Sequence, residues 1–224
     1  IDVGRNFQSI ALLKEQLDIM AKYKLNTFQW HLTDRPAWRI ESKIYPELTD
    51  GKNHRPSRNP GKYYTYEEIR DFIKYAKSKH INVIPEIDIP GHSDSFIKSM
   101  GCRMESPKGM KILENVLKEF FNEIPKDLVP IFHMGSDEVK ISNPEEFVLK
   151  MVNYIESHGR KVVAWTPGLK MPKTVTLQAW GEQKKKHDIE GYSEIDSKFS
   201  YINNFEPMSG VNQLFFRPIG YKSK

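Results

Sequence analysis

The sequence predicts an α/β domain on a parallel sheet, either a (β/α)8 barrel or an open doubly wound sheet. Three observations carry this. Apolar, β-rich runs alternate with helical patterns along the chain. The runs are continuously apolar rather than alternating, as strands covered on both faces are. After the first run comes Gly4-Arg5-Asn6-Phe7 rather than a glycine-rich phosphate loop, which weakens the nucleotide-binding sheet.

The elements follow in order. Ile1 to Phe7 reads as a strand. Residues 9–23 then place Ile10, Leu13, Leu17 and Met20 at helical spacing. Asn26 to Leu32 is the second strand. Residues 42–64, rich in Pro, Gly, Lys and Asn, form a long excursion. Thr65-Tyr66-Glu67-Glu68 is a capping box opening a helix whose apolar face is Ile69, Phe72, Ile73 and Ala76. Asn82 to Ile89 is a strand closed by Pro90-Gly91. A helix spans about 107–123, with Ser106 as N-cap and Pro107 in the first turn. Pro130 to Met134 is the fourth strand. Asn143-Pro144 opens a helix that turns Phe147, Val148, Met151 and Ile155 inward. Lys161 to Trp165, Thr174 to Trp180 and Phe199 to Ile202 complete seven strands. The segment Leu214 to Pro218 reads equally as a strand or a loop.

Composition bounds the function. The 224 residues are 38% hydrophobic and 28% charged, enough apolar surface for a core and too much for a disordered chain. No run approaches the roughly 20 consecutive apolar residues of a membrane span, and the first residues carry no signal-peptide pattern. Cys102 is the single cysteine, which excludes an internal disulfide framework. A net charge of +5, with one dense basic run at Lys184-Lys185-Lys186-His187, is too mild for a nucleic-acid binder. No composition break marks a second domain, so residues 1–224 are expected to form a single barrel domain.

The polar residues collect at strand ends, where a barrel builds its site. The first strand ends near Arg5 and the second in His31-Leu32-Thr33-Asp34. The third ends in Glu86-Ile87-Asp88 and His92, the fourth in His133-Met134-Gly135-Ser136-Asp137-Glu138. The fifth and sixth end in Trp165 and Trp180, the seventh near Tyr201. Cations, carboxylates and aromatic faces on one rim suit a sugar. Singly, an aspartate there caps a helix and a tryptophan packs a core; the joint pattern points to a site.

Several strings resemble glycoside hydrolase family 20, the β-N-acetylhexosaminidases: Asp2 to Phe7 (DVGRNF), Lys24 to Asp34 (KLNTFQWHLTD), Ile84 to Ser93 (IPEIDIPGHS) and His133 to Val139 (HMGSDEV). They run in the family's order. The resemblance implies a (β/α)8 barrel that removes terminal β-linked N-acetylglucosamine or N-acetylgalactosamine by retaining, substrate-assisted catalysis through an oxazolinium intermediate. It implies no cofactor and no metal, glycans as partners, and an extracytoplasmic compartment.

By the same resemblance, Glu138 matches the general acid/base and Asp137 the carboxylate that orients the 2-acetamido group. Tyr201 matches the tyrosine on the acetamido oxygen, and Trp165 and Trp180 the pocket walls. Arg5 matches the arginine on the sugar's 3- and 4-hydroxyls; Asp34 and His92 match a pair supporting the acid. Asn203 stands where the family carries Asp, next to the expected sugar-binding tyrosine. Glu138 has to carry a proton while Asp137 stays ionised. Adjacent strand residues point to opposite faces, so both serve one site only if the strand ends or twists there, which Gly135 eases.

Nothing after Tyr201 matches the family's last strand, so the barrel is expected to lack its eighth strand in this chain. Two other functions compete: a carbohydrate-binding relative without turnover, and a metal-dependent hydrolase using His31, Asp34, His92 and His133.

Overall fold

The computed structural model describes residues 1–181, 189–198 and 207–216. Six strands form one parallel sheet: β1 (Thr27–His31), β4 (Asn82–Glu86), β5 (Ile131–His133), β6 (Lys161–Thr166), β7 (Thr176–Ala179) and β8 (Glu194–Asp196). The short β2 (Thr33–Asp34) and β3 (Ala37–Trp38) make a separate antiparallel hairpin. The order in the main sheet is the order of the chain. It never reverses, as it would in a doubly wound sheet at its switch point, so the topology is that of a barrel wall.

The first expected strand is reduced to one parallel bridge, Asp2 to His31, beside β1. The expected seventh strand, Phe199 to Ile202, lies outside the described residues, as does the basic run Lys184 to His187; β8 pairs with β7 at Glu194–Asp196 instead. The tail is a helix, α6 (Pro207–Phe216), rather than the strand or loop expected at 214–218; Arg217 and Pro218 fall outside the described residues.

The helices form where local signals place them. In α1 (Ile10–Lys22) the Ser9 hydroxyl accepts from the Leu12 N–H, and Leu13 and Leu17 are buried. In α2 (Tyr66–Ser78) both halves of the Thr65–Glu68 capping box are made, and Ile69, Phe72, Ile73 and Ala76 are buried as their spacing requires. A helix that the periodicity missed, α3 (Asp94–Met100), follows β4 and ends on Gly101 at φ +65°. In α4 (Pro107–Glu123) Ser106 caps and Pro107 takes the first turn. In α5 (Pro144–Ser157) Phe147, Val148, Met151 and Ile155 face the core. Under α2 and α4 an aromatic cluster runs from Tyr64 and Trp30 through Phe72 and Phe28, and from Phe120 to Phe132.

Arg39 fixes the N-terminal segment. It is fully buried just after β3. Its guanidinium donates to the carbonyls of Val3 (3.0 Å), Asn59 (2.7 Å), Lys62 (2.8 Å), Arg58 (2.6 Å) and, more weakly, Gly4 (3.4 Å). Burial draws it down to about 10, yet it stays a cation at neutral pH. The excursion 42–64 and the N-terminal segment that carries Arg5 therefore share one buried cation. Arg39→Met leaves several buried carbonyls without donors, each costing about 1–3 kcal/mol. The variant should lose at least about 3 kcal/mol in denaturant unfolding; a loss under about 1 kcal/mol would show that water replaces the guanidinium.

Candidate active site

Two close approaches bring the rim together. A Cβ on Gly4 would stand 2.9 Å from Asp34, so only glycine lets the N-terminal segment lie against β2. Arg5 is thereby delivered to Asp34, its Nη2 at 2.9 Å from Oδ2, while its Nη1 binds Asp2 at 2.6 Å. His92, at φ +48° after Gly91, places Nδ1 3.4 Å from Asp34 Oδ2 and 3.3 Å from Arg5 Nη2.

The second approach resolves how neighbours in sequence share one site. β5 stops at His133, and Gly135, Ser136 and Glu138 all take positive φ, at +65°, +80° and +47°. A Cβ on Gly135 would come 2.0 Å from Asp88 Oδ1. Ser136 takes a conformation that favours glycine, held by two bonds: its N–H to Asp88 Oδ1 at 2.9 Å and its hydroxyl to the Ile89 carbonyl at 2.6 Å. On the other side the N–H groups of Trp165 and Leu169 donate to the Gly135 and Ser136 carbonyls. Clamped between the exits of β4 and β6, the chain turns both acids toward His92. Its Nε2 is 3.7 Å from Asp137 Oδ1 and 3.4 Å from Glu138 Oε2.

Beneath the rim lies a buried polar floor. Glu86 accepts from Gln29 Nε2 at 2.7 Å and from the Trp165 indole at 2.7 Å, and faces His31 Nδ1 at 3.0 Å. His31 Nε2 reaches Asp34 Oδ2 at 2.9 Å. His133 Nδ1 accepts the Gly135 N–H at 3.0 Å, so its ring is neutral and its 3.6 Å approach to Glu86 is not an ion pair. Burial pulls His133 down to about 4.

The charges sort by partner. Burial alone would raise Asp34 and Glu86, but the cations around them, His31 on both, hold both well below the carboxylate range. Burial raises Asp88, with Asp137 and Glu86 adding to it; Asp88 Oδ2 is buried without a hydrogen-bond partner among the described residues. Burial also raises Asp137, which was expected simply to stay ionised; His92 pulls it back, while Glu86 and Glu138 push it further up. The Glu138 side chain is 51% exposed, at the mouth of the site.

Beside Glu138 opens a cleft of about 840 Å³ lined by Val139, Thr166, Pro167, Trp180 and Tyr192 among others. Trp180 is one of the walls of this cleft. Trp165 is not: its indole turns to the floor, packed 4.7 Å from the His133 ring. Tyr201 and Asn203 lie outside the described residues.

Known proteins resemble this chain in sequence and in fold. The profile of "Glycosyl hydrolase family 20, catalytic domain" aligns with residues 1–107. A β-hexosaminidase subunit A2 from Dictyostelium discoideum is 31% identical over 92% of this chain and 45% of its own length. A chitobiase of Flavobacterium johnsoniae superposes with a TM-score of 0.77 at 27% identity, over 94% of this chain and 39% of that one. An exo-β-N-acetylglucosaminidase of Vibrio harveyi, solved with N-acetylglucosamine, superposes with a TM-score of 0.74 at 26% identity, over 86% and 39%. The chain belongs to glycosyl hydrolase family 20. Its sheet is part of the wall of a (β/α)8 barrel. It spans less than half the length of the curated relatives it matches.

In this family 20 chain the rim residues Arg5, Asp34, His92, Asp137 and Glu138 come together, as their strand-end positions required. Gln29 was missed as part of the site, and Glu86, Asp88 and Ser136, though named at their strand ends, were given no role. The available signal was a polar residue inside an apolar run, as Glu86 and Asp88 are in IPEIDIP.

Donor atoms of three sets lie within 4.8 Å of one another: Asp2, His31 and Asp34; His31, Glu86 and Asp88; Asp88, His92 and Asp137. In the first two, both ring nitrogens of His31 already face carboxylates. In the third, the raised Asp88 favours a proton over a cation. Neither His31 nor His133 offers a free lone pair, which tells against the four-residue metal site.

These shifts set a pH dependence of stability. Asp34 and Glu86 are depressed, so their contribution is present above about pH 4 and is lost as pH falls through their folded values. Neutral His133 costs stability from about pH 6.5 downward, until it protonates near 4. His31 is raised, so its contribution is present below about pH 6.5 and is lost as pH climbs through its folded value. Asp88 and Asp137, raised, act oppositely to the depressed pair and offset part of the gain above about pH 4. Tm should therefore be highest near neutrality and fall steeply below about pH 4. In His133→Asn the decline between about 6.5 and 4 should flatten. A Tm that rises on acidification from pH 5 to 3 would contradict the assignment.

Proposed function

We propose that this family 20 chain carries the catalytic machinery of an exo-acting glycoside hydrolase. It removes terminal β-linked N-acetylglucosamine or N-acetylgalactosamine with retention, the substrate's own acetamido oxygen acting as nucleophile. One observation carries the reading: a continuous line of charge, Arg5–Asp34–His92, ends on the Asp137–Glu138 pair at the mouth of the cleft walled by Trp180.

The roles follow from position. Glu138, half-exposed at the mouth, meets the leaving group and donates its proton to the glycosidic oxygen. His92, which Asp34 favours in its charged form, lies beside it and receives charge as Glu138 becomes a carboxylate. Asp137 Oδ1 is buried and has no hydrogen-bond partner among the described residues. Its raised carboxyl lacks a full countercharge in the free protein. The cation that develops on the acetamido nitrogen supplies that charge only as the oxazolinium forms, so Asp137 stabilises the transition state more than the bound sugar. Arg5, half-exposed above Asp34, binds sugar hydroxyls. Trp180 packs on the apolar face of the ring. By the resemblance of the Tyr201-Ile202-Asn203 string, Tyr201 is assigned to the acetamido oxygen and Asn203 to the outer hydroxyls. Water then opens the intermediate, with Glu138 as base. Residues 1–224 act as one barrel domain, needing neither metal nor cofactor.

The test is turnover of aryl and alkyl N-acetylglucosaminides, with and without chelator. Glu138→Gln should slow substrates with poor leaving groups by about 10²–10⁴-fold and activated phenyl substrates much less. Asp137→Asn should slow both kinds. A matched glucoside without the acetamido group should be almost inert. Hydrolysis of that glucoside at the rate of the N-acetylglucosaminide would require a protein nucleophile instead. Full sensitivity to chelator would revive the metal site.

A further inference from the structure

We propose that His31 is a positioning residue for this reaction: a buried bridge between the floor carboxylate Glu86 and Asp34 that sets how strongly Asp34 holds His92 against Glu138. The inference rests on the hydrolase reading, but its electrostatic part can be measured without turnover.

The geometry gives His31 two partners of one sign. It ends β1 with its side chain 12% exposed, while those of Glu86 and Asp34 are 0% and 1%. Nδ1 is 3.0 Å from Glu86 Oε1 and Nε2 is 2.9 Å from Asp34 Oδ2. A neutral imidazole would aim a lone pair at one of these carboxylates, so only the imidazolium satisfies both. Burial alone would lower the ring's affinity for its proton; Glu86 and Asp34 reverse this and raise it well above 6.5. The other charges facing the ring reinforce or balance this: Asp2 is attractive, while His133 is neutral and Asp88 favours its proton.

Asp34 is where this matters. Its Oδ2 receives His31 and Arg5, each at 2.9 Å, and His92 at 3.4 Å, while Oδ1 takes the Arg35 N–H at 2.6 Å. Two cations already neutralise the carboxylate, so His92 feels only part of its charge. Arg5, Asp88, Asp137 and Glu138 are the other charged or titratable groups around His92. Without the His31 cation, Asp34 and Glu86 present uncompensated charge, and His92 is drawn onto Asp34 and away from the acid. Glu86 also holds the Trp165 indole at 2.7 Å, so the same bridge ties the wall of β6 to β1.

The test uses the whole chain, with imidazole nitrogens followed by NMR from pH 4 to 9, and its His31→Gln and His31→Gln/Glu86→Gln variants. In the unsubstituted protein His31 should titrate well above the ordinary 6.5; a ring titrating near that value overturns the proposal. In His31→Gln the His92 midpoint should rise by about 0.5–1 unit, whereas a merely structural His31 would leave it in place. With an N-acetylglucosaminide, kcat should fall about 10–100-fold with KM within about twofold, and the pH optimum should move up with His92. Removing Glu86's charge as well should recover part of kcat, because the buried carboxylate no longer lacks its cation. An unchanged kcat, or an unmoved His92 midpoint in a folded variant, refutes the positioning role. If His31→Gln does not fold, the double variant and the His31 titration decide. If the unsubstituted chain shows the titrations but no turnover, the hydrolase reading fails while the coupling stands.

Discussion

Four carboxylates, those of Asp34, Glu86, Asp88 and Asp137, cluster where the strands end, and the site depends on how their charge is matched. Water would screen them, but all are largely removed from it. The structure answers with two cations, Arg5 and His31, on Asp34, and with His31 again on Glu86. Asp88 has no cation paired with it among the described residues and Asp137 has only His92, at 3.7 Å, so burial pushes both toward their protonated forms. One half of the network is thus locked as ion pairs, and the other half is left ready for positive charge.

The backbone bears the cost of this arrangement. His92, Ser136 and Glu138 all sit at positive φ without being glycine. Each carries or braces a side chain of the candidate site, and Ser136 is held there by Asp88 and Ile89. The glycines that remain are those where a Cβ has no room: Gly4 against Asp34, Gly135 against Asp88, and Gly91, whose Cβ would stand 2.8 Å from the Asp137 carbonyl. Close backbone approach, more than loop freedom, accounts for these three.

The outer shell gives the floor its rigidity. Arg39 binds the N-terminal segment to the 58–62 loop, so the position of Arg5 depends on a cation that lies outside the site. The aromatic cluster under α2 and α4 keeps β1 and β5 in register with the helices that cover them. Leu12, Ile19, Tyr23 and Leu25 on and after α1, and Met208, Val211, Phe215 and Phe216 on α6, stand exposed.

What the sequence determined by itself was local. Helical spacing put Leu13, Phe72 and Met151 inside, and the caps at Thr65 and Ser106 read directly as helix starts, because hydrogen bonds within a turn depend on a few residues. Strand ends located Arg5, Asp34, His92, Asp137 and Glu138, because a parallel barrel sends every strand's last residues to one rim. Tertiary structure decided the rest. That Asp137 and Glu138 both turn to His92 follows from three positive-φ residues clamped by β4 and β6, contacts no spacing encodes. Trp165 faces the floor because Glu86 accepts its indole across the sheet, 79 residues away in sequence. The charge states of His31, Asp88 and Asp137 belong to the same class. A side chain's type fixes its ordinary pKa, but its actual one is set by burial and by charges that only folding brings within a few ångströms.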